Sequence, residues 1–244
     1  MTPLLLSINV DHVATLRNAR GGSHPCPVEA ARAAVAAGAD SITIHLREDR
    51  RHIRDDDARR IRAEVAAPLN FEMGATEEMV AFCLALAPHA CCLVPEKRQE
   101  LTTEGGLEVA GAGPELRDAV ARLRAVGIRV ALFVEPDARQ VEAAARIGAS
   151  AVELHTGTYA DAAPARRGAE LERLRMAARI AVAVGLECHA GHGLTYETVG
   201  AVAAIPEVSE TSIGHFLIGQ SVFEGLPAAV RRMKEIIAAA RAAG

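Results

Sequence analysis

Short apolar runs rich in β-branched residues alternate along the chain with longer Ala-rich stretches of helical period. The short runs, at residues 4–10, 41–46, 69–73, 90–94, 129–134, 151–156, 186–190 and 208–213, predict strands. The longer stretches, at 27–37, 55–66, 76–87, 114–126, 137–147, 165–184, 195–204 and 225–242, predict helices. Parallel strands need long crossovers, so this alternation predicts an α/β protein with a parallel sheet. Eight units of roughly 30 residues fill the length. A (β/α)8 TIM barrel with eight parallel strands and extra short helices is the expected closure. No linker or composition break divides the chain, so residues 1–244 are expected to form a single barrel domain.

Several strands are entered alike. AAGADSITIH, APHACCLVP, AVGIRVALFV, RIGASAVELH and AVGLECHAGH each place Gly or Pro just ahead of an apolar run. Glycine there suits a helix C-terminus, where a left-handed residue costs little. Generic α/β turns in an open, doubly wound sheet would look similar, but the count of eight favours the barrel. No GxGxxG follows the first strand, which argues against a dinucleotide site.

Composition narrows the function. The 244 residues carry 27 Lys+Arg against 31 Asp+Glu, a net charge of −4, with 3% aromatics. That balance does not suit nucleic-acid binding, which needs a basic surface. No apolar run approaches the ~20 residues of a membrane span. The opening MTPLLLSINVDH has three consecutive leucines and no basic segment ahead of them, unlike a signal peptide. The five cysteines show no CxxC and no framework spacing, so reduced thiols and a cytoplasmic setting are expected. Cys91 and Cys92 lie in an apolar run and read as small core residues.

Reactive groups of barrel enzymes sit at the C-terminal ends of strands, and polar residues gather there in this chain. Strand 1 runs into Asn9, Asp11 and His12; strand 2 into His45 and Arg47; strand 3 holds Glu72; strand 4 runs into Glu96, Lys97 and Arg98. Glu135 ends strand 5, Glu153 and His155 lie on strand 6, Glu187, His189 and His192 on or after strand 7, and Gly214-His215 follows strand 8. Alternation puts Asn9 with Asp11, His45 with Arg47 and Glu153 with His155. Charged groups aimed into a barrel are costly without partners. Their presence at six strand ends points to an active site at the barrel mouth. Glu135 and Glu153 read equally as buried structural carboxylates. His89 reads as a packing residue, His24 has no role, and Asp55-Asp56-Asp57 reads as a helix N-terminus rather than a metal site.

The stretch after strand 4, residues 97–113, is long for such a connection and contains Gly105-Gly106, which makes it a lid candidate. Arg20, ahead of two glycines, and Arg47, Arg50 and Arg51 suggest a phosphate or carboxylate ligand. A short helix beginning at Gly214-His215 offers backbone N–H groups, the usual phosphate position of a barrel.

The segments NVDHVATLRNARGG (9–22), HLREDRRHI (45–53), NFEMGATEEM (70–79), CCLVPEKRQELTTEGGLEVAG (91–111), ELHTGTYAD (153–161), AGHGLTYETV (190–199) and SIGHFLIGQSVF (212–223) resemble the pyridoxine 5′-phosphate synthase family of vitamin B6 biosynthesis. The resemblance runs nearly end to end. It implies a barrel that joins 1-deoxy-D-xylulose 5-phosphate to 3-amino-2-oxopropyl phosphate, giving pyridoxine 5′-phosphate, inorganic phosphate and water. It implies no redox cofactor, no metal, and a homo-octamer built as a tetramer of dimers. Carried over by position, His45, Glu72 and His192 look like the acid/base residues. Asn9, Asp11, His12, Arg20, Arg47, His52, Thr102, Gly193, Gly214 and His215 look like substrate-binding residues. His189 is not part of the family pattern and is assigned no catalysis.

The implied chemistry moves protons at each stage and needs no electron acceptor. Two histidines and a desolvated Glu72 suit it. Two phosphorylated substrates need two anion sites, one at Gly193, Gly214 and His215, the other at Arg20, Arg47, His52 and Thr102. Three rivals stay open on the residues alone. A metal-dependent hydrolase could use Asp11, His45, His155, His189 and His192. A Schiff-base aldolase would need Lys97 as its lysine. A non-catalytic binding protein would leave the cluster of ionisable groups unexplained.

Overall fold

The computed structural model describes residues 3–96 and 105–243. Eight parallel strands close in sequence order into a barrel. They are β1 (Leu5–Asn9), β2 (Ser41–His45), β3 (Leu69–Met73), β4 (Ala90–Leu93), β5 (Arg129–Val134), β6 (Ala151–His155), β7 (Glu187–Gly191) and β8 (Val208–Ile213). Each falls inside, or within a residue of, its predicted run. The helices are α1 (Asp11–Arg20), α2 (Pro27–Ala36), α3 (Asp55–Glu64), α4 (Glu77–Leu86), α5 (Pro114–Ala125), α6 (Ala138–Arg146), α7 (Gly157–Ala160), α8 (Pro164–Ala183), α9 (Val199–Ala203), α10 (His215–Glu224) and α11 (Leu226–Ala243).

Local chemistry explains the boundaries. Proline occupies the first position of α2, α5 and α8, where its missing N–H costs nothing. Thr76 and Asp137 accept backbone N–H groups at the starts of α4 and α6. The predicted turn ahead of the strands is present, with φ between 83° and 108° at Gly38, Gly127, Gly148 and Gly185. Ahead of β4 the left-handed residue is Ala87, at φ 49°.

Two stretches differ from expectation. Asp11 and His12 were placed on the end of strand 1 but open α1 instead. The Asn9 side chain turns the chain there, its Oδ1 accepting the Asp11 N–H at 2.8 Å and its Nδ2 donating to Asp11 Oδ2 at 2.9 Å. The predicted helix 195–204 shortens to α9, because Thr195 and Thr198 close a turn on each other, Thr195 N–H donating to Thr198 Oγ1 at 2.9 Å.

The alternation of the strands divides the core. Outward residues such as Leu6, Ile8, Ile44, Phe71, Leu132 and Leu154 are completely buried against the helices. Phe71, for example, stacks on Phe82 of α4. Inward residues form two halves. Cys92, Val94, Ala131, Phe133 and Ala151 make a small apolar cluster. Opposite them, Thr43 is a hydroxyl hub, meeting Ser7 Oγ at 2.7 Å, Asn70 Nδ2 at 3.3 Å and Ser212 Oγ at 3.4 Å.

One buried ion pair ties α1 to the loop after β2. Arg17 donates to both oxygens of Asp57 on α3, at 2.6 and 2.8 Å, and to the carbonyl of His52 at 3.2 Å. Asn18 Nδ2 donates to the same carbonyl at 2.8 Å. Arg17→Ala leaves the Asp57 carboxylate buried without its partner, and a loss of about 3–5 kcal/mol in urea denaturation is expected. A loss below about 1 kcal/mol would place this pair with ordinary surface bridges.

Candidate active site

A cavity of about 400 Å³ opens at the C-terminal end of the barrel. Its walls include Asn9, Asp11, His12, His45, Arg47, His52, Glu72, His192, Gly193, Gly214 and His215, all expected at the site. Thr15, Arg51, Val94, Phe133, Glu153 and Ser212 complete the lining. Arg20 stands in the last turn of α1, exposed and outside this lining. Thr102 and Lys97 lie outside the described residues, as do residues 97–104 of the lid candidate.

Strand register sets the floor. His45, Glu72 and Cys92 are level on β2, β3 and β4, and Phe133, Glu153 and His189 are level on β5, β6 and β7. Burial pushes the Glu72 carboxyl well above the usual carboxylate range, and the nearby charges of Glu153 and Asp11 push it further. Glu72 Oε2 lies 4.0 Å from His45 Nδ1. The backbone N–H of His45 donates to Asp11 Oδ1 at 2.8 Å, which fixes Asp11 between β1 and β2. Glu153 is packed tightly below: a Cβ on Gly191 would stand 2.1 Å from its Oε1.

The rim is cationic and imidazole-rich. Arg47 and Arg51 stand with His52 after β2, and His12 meets His215 edge to face with ring centres 4.8 Å apart. Burial lowers the pKa values of His12, His52 and His192, with neighbouring His215 adding to the effect at His12 and His155 at His192. These rings are therefore neutral near pH 7. Gly214 precedes α10, so the first N–H groups of that helix have no partner within it and face the mouth.

His192 is held by strain and by hydroxyl contacts. Its φ of 78° lies in the left-handed region, uncommon for a residue other than glycine. Thr156 Oγ1 donates to the carbonyls of Gly191 and His192 at 2.7 and 2.5 Å. His155 stands 5.1 Å from His192 between ring centres. His155 Nδ1 and the Gly106 N–H both meet Glu135 Oε1, at 2.8 and 3.1 Å. Sequence reading gave Thr156 no role and left Glu135 undecided, because these pairs form only across strands. His189, level with Glu153 on the neighbouring strand, faces Glu187 at 3.6 Å. Burial opposes its charge, but Glu187, Glu210 and Glu153 outweigh that and raise its pKa.

Asp11, His45 and Glu72 are the one group among the described residues whose ligand atoms, within 4.8 Å of one another, could share a metal ion. Asp11 accepts from the Asn9 side chain and from the His45 N–H.

The family model described as Pyridoxal phosphate biosynthesis protein PdxJ matches residues 6–239. The chain belongs to this family. A pyridoxine 5′-phosphate synthase of Gluconobacter oxydans is 62% identical over 232 residues, covering 95% of this chain and 98% of that one. One from Xanthobacter autotrophicus is 57% identical over 247 residues, covering 100% and 96%. Among solved structures, thiamine phosphate pyrophosphorylase from Pyrococcus furiosus aligns with a TM-score of 0.63 at 17% identity, covering 97% of this chain and 96% of that one. KGPDC from Streptococcus mutans aligns at 0.67 and 12%, covering 98% and 99%. These two likenesses speak to the barrel alone. Among the described residues no helix is long and apolar enough to cross a membrane.

The PdxJ-family barrel of this chain carries a pH signature in Glu153. Burial raises its carboxyl to about 7, Glu210 adds to the shift, and His189 and His155 oppose it. The folded state thus holds this proton more tightly than the unfolded chain, where the carboxyl titrates near 4.5. Its contribution to stability is full at low pH and is lost as pH rises through about 7. Glu153→Gln should therefore gain stability relative to wild type between about pH 5 and about pH 8, by roughly 3 kcal/mol. Urea denaturation at the two pH values reads the difference, and an unchanged difference would overturn the assignment.

Proposed function

We propose that this chain is a pyridoxine 5′-phosphate synthase that condenses 3-amino-2-oxopropyl phosphate with 1-deoxy-D-xylulose 5-phosphate. The observation that carries the reading is the pairing of Glu72, its carboxyl pushed well above the usual carboxylate range, with His45 4.0 Å away in a cavity whose rim is set for anions. Condensation of an amine with a ketone expels water, and ring closure and phosphate loss each move further protons. A floor with a protonated carboxyl beside an imidazole can give and take those protons. A cavity of this size holds two small substrates and leaves little room for water, which would otherwise hydrolyse the imine.

Each residue has a task in this reading. Arg47 and His52 on one side, and the N–H groups of Gly193, Gly214 and His215 on the other, bind the two phosphates. Asn9, Asp11 and His12 orient the substrates' polar groups. Glu72 protonates the departing oxygen, and His45 takes protons from carbon or nitrogen. His192, whose pKa is lowered by partial desolvation and by neighbouring His155, donates a ring N–H to a developing oxyanion rather than arriving as an imidazolium. Thr102 and the homo-octamer enter through the family resemblance alone, whereas Arg20 is also supported by its place ahead of two glycines and the cytoplasmic setting by the cysteine pattern. A light-scattering mass of eight chains supports the octamer, and a mass of one or two chains removes it.

The first experiment mixes the protein with both substrates in the presence of a chelator and follows pyridoxine 5′-phosphate by absorbance and mass. Product that requires both substrates supports the reading. No product until zinc or manganese is restored would turn Asp11, His45 and Glu72 into metal ligands, the second reading their spacing allows. Glu72→Gln should bind both substrates and turn over about 10²–10⁴-fold more slowly. Near-normal turnover would sink its role.

A further inference from the structure

We infer that Glu96 is a positioning residue for His45: it fixes the imidazole as the Nε2–H tautomer and turns the bare Nδ1 toward Glu72. The inference rests on the acid/base reading above for its kinetic consequence, but its geometry stands independently. Glu96 follows β4 and its side chain is 7% exposed, as is that of His45. Three donors converge on its carboxylate. His45 Nε2 and the Gly74 N–H meet Oε1 at 2.8 and 3.0 Å, and the Glu48 N–H meets Oε2 at 3.1 Å. The carboxylate therefore joins the ends of β2, β3 and β4, and the imidazole is its one side-chain partner among these donors.

The protonation states follow. Burial pulls the Glu96 carboxyl upward, but the hydrogen bond from His45 and those from the Glu48 and Gly74 N–H groups pull the other way, and the balance lies below the usual carboxylate range. An ionised carboxylate can only accept, so the proton of this hydrogen bond belongs to Nε2. In the neutral ring that leaves Nδ1 with its lone pair, 4.0 Å from Glu72 Oε2. Glu72 is the reverse case, a carboxyl that desolvation and its negative neighbours push well above the usual carboxylate range. A gap of 4.0 Å is too long for a direct hydrogen bond and admits a bridging substrate atom. A proton leaving that atom for Nδ1 makes His45 an imidazolium and breaks the substrate's bond to hydrogen. Glu72 returns a proton to the departing oxygen and becomes a carboxylate. Transfer from His45 back to Glu72 resets both. The Glu96 charge stabilises the imidazolium in between. A mere loop staple would need only the two backbone donors.

Nitrogen-15 NMR of the wild-type imidazoles tests the tautomer directly. The expected signal for neutral His45 is Nε2–H, and an Nδ1–H signal overturns the inference. The titration midpoint of His45 should then fall by about one pH unit in Glu96→Gln, which removes one negative charge. The other groups facing the ring, Glu72, Asp11 and His52, stay in place. An unmoved midpoint assigns Glu96 to loop structure. In turnover, kcat of Glu96→Gln should drop on the order of 10²-fold with each KM within about threefold, and Glu96→Asp should recover part of the loss. A rise in KM at unchanged kcat contradicts the role. The NMR readouts need no substrate, so a wild-type protein that makes no product would sink the proposed activity and still leave the tautomer decided.

Discussion

Closure of eight parallel strands is the constraint on which the rest depends. Once the sheet has no edge, every second residue points inward and every other outward, and one register assigns both sets. The outward set is almost uniformly aliphatic and packs against the helices. Those contacts supply the apolar burial on which the fold rests. The inward set is thereby released from packing the molecule together and can carry groups that a core would otherwise reject. The barrel uses that freedom unevenly. The half lined by β4 and β5 keeps a small dry cluster around Phe133. The other half is lined with hydroxyls and an amide that satisfy one another around Thr43. Chemistry sits on top of both.

The site then separates one residue type into two states. At Glu72 and Glu153 burial raises the carboxyl pKa, well above the usual range at Glu72 and to about 7 at Glu153. Glu96 and Glu135 stand nearer the mouth, each accepting from a histidine and from backbone N–H groups, and are held ionised against the pull of burial. The deep pair can donate a proton; the upper pair can only orient or stabilise a cation. Environments that push like groups apart in this way are how acid and base roles coexist in one cavity. The histidines divide similarly. Desolvation beside another imidazole lowers the pKa of His12 and His192, whereas the carboxylates around His189 outweigh desolvation and raise its pKa.

Much of this was legible in the chain, for definite reasons. Strands such as RVALFV and AVELHT, each following a Gly-bearing turn, are strong local signals, and the polar residues at their ends marked the mouth. Helix α1 was not legible, because DHVATLRNAR has little apolar character and its start depends on the Asn9 side chain, a contact no periodicity reveals. The Arg17–Asp57 pair, 40 residues apart, was hidden for the same reason. So were the carboxylate–histidine pairs. Glu96 and His45 are 51 residues apart, and only the closed register brings them within 2.8 Å. Sequence shows which residue types stand at strand ends; partner choice across strands is decided by the third dimension.

Charge layering also orients what enters. Arg47, Arg51 and the start of α10 lie at the rim, while Glu72 and Glu153 lie at the floor. A dianionic phosphate is drawn to the rim and repelled from a floor that already resists holding one carboxylate. A small phosphorylated ketone or amine is therefore received headgroup outward, with its uncharged carbon end toward Glu72 and His45. The same carboxyls, whose pKa values burial raises, make the floor tolerable for neutral reacting atoms. Placing a cation there in place of the proton would change the charge that the rim has to balance. The depth at which a group sits thus decides both its protonation and which end of a substrate it meets.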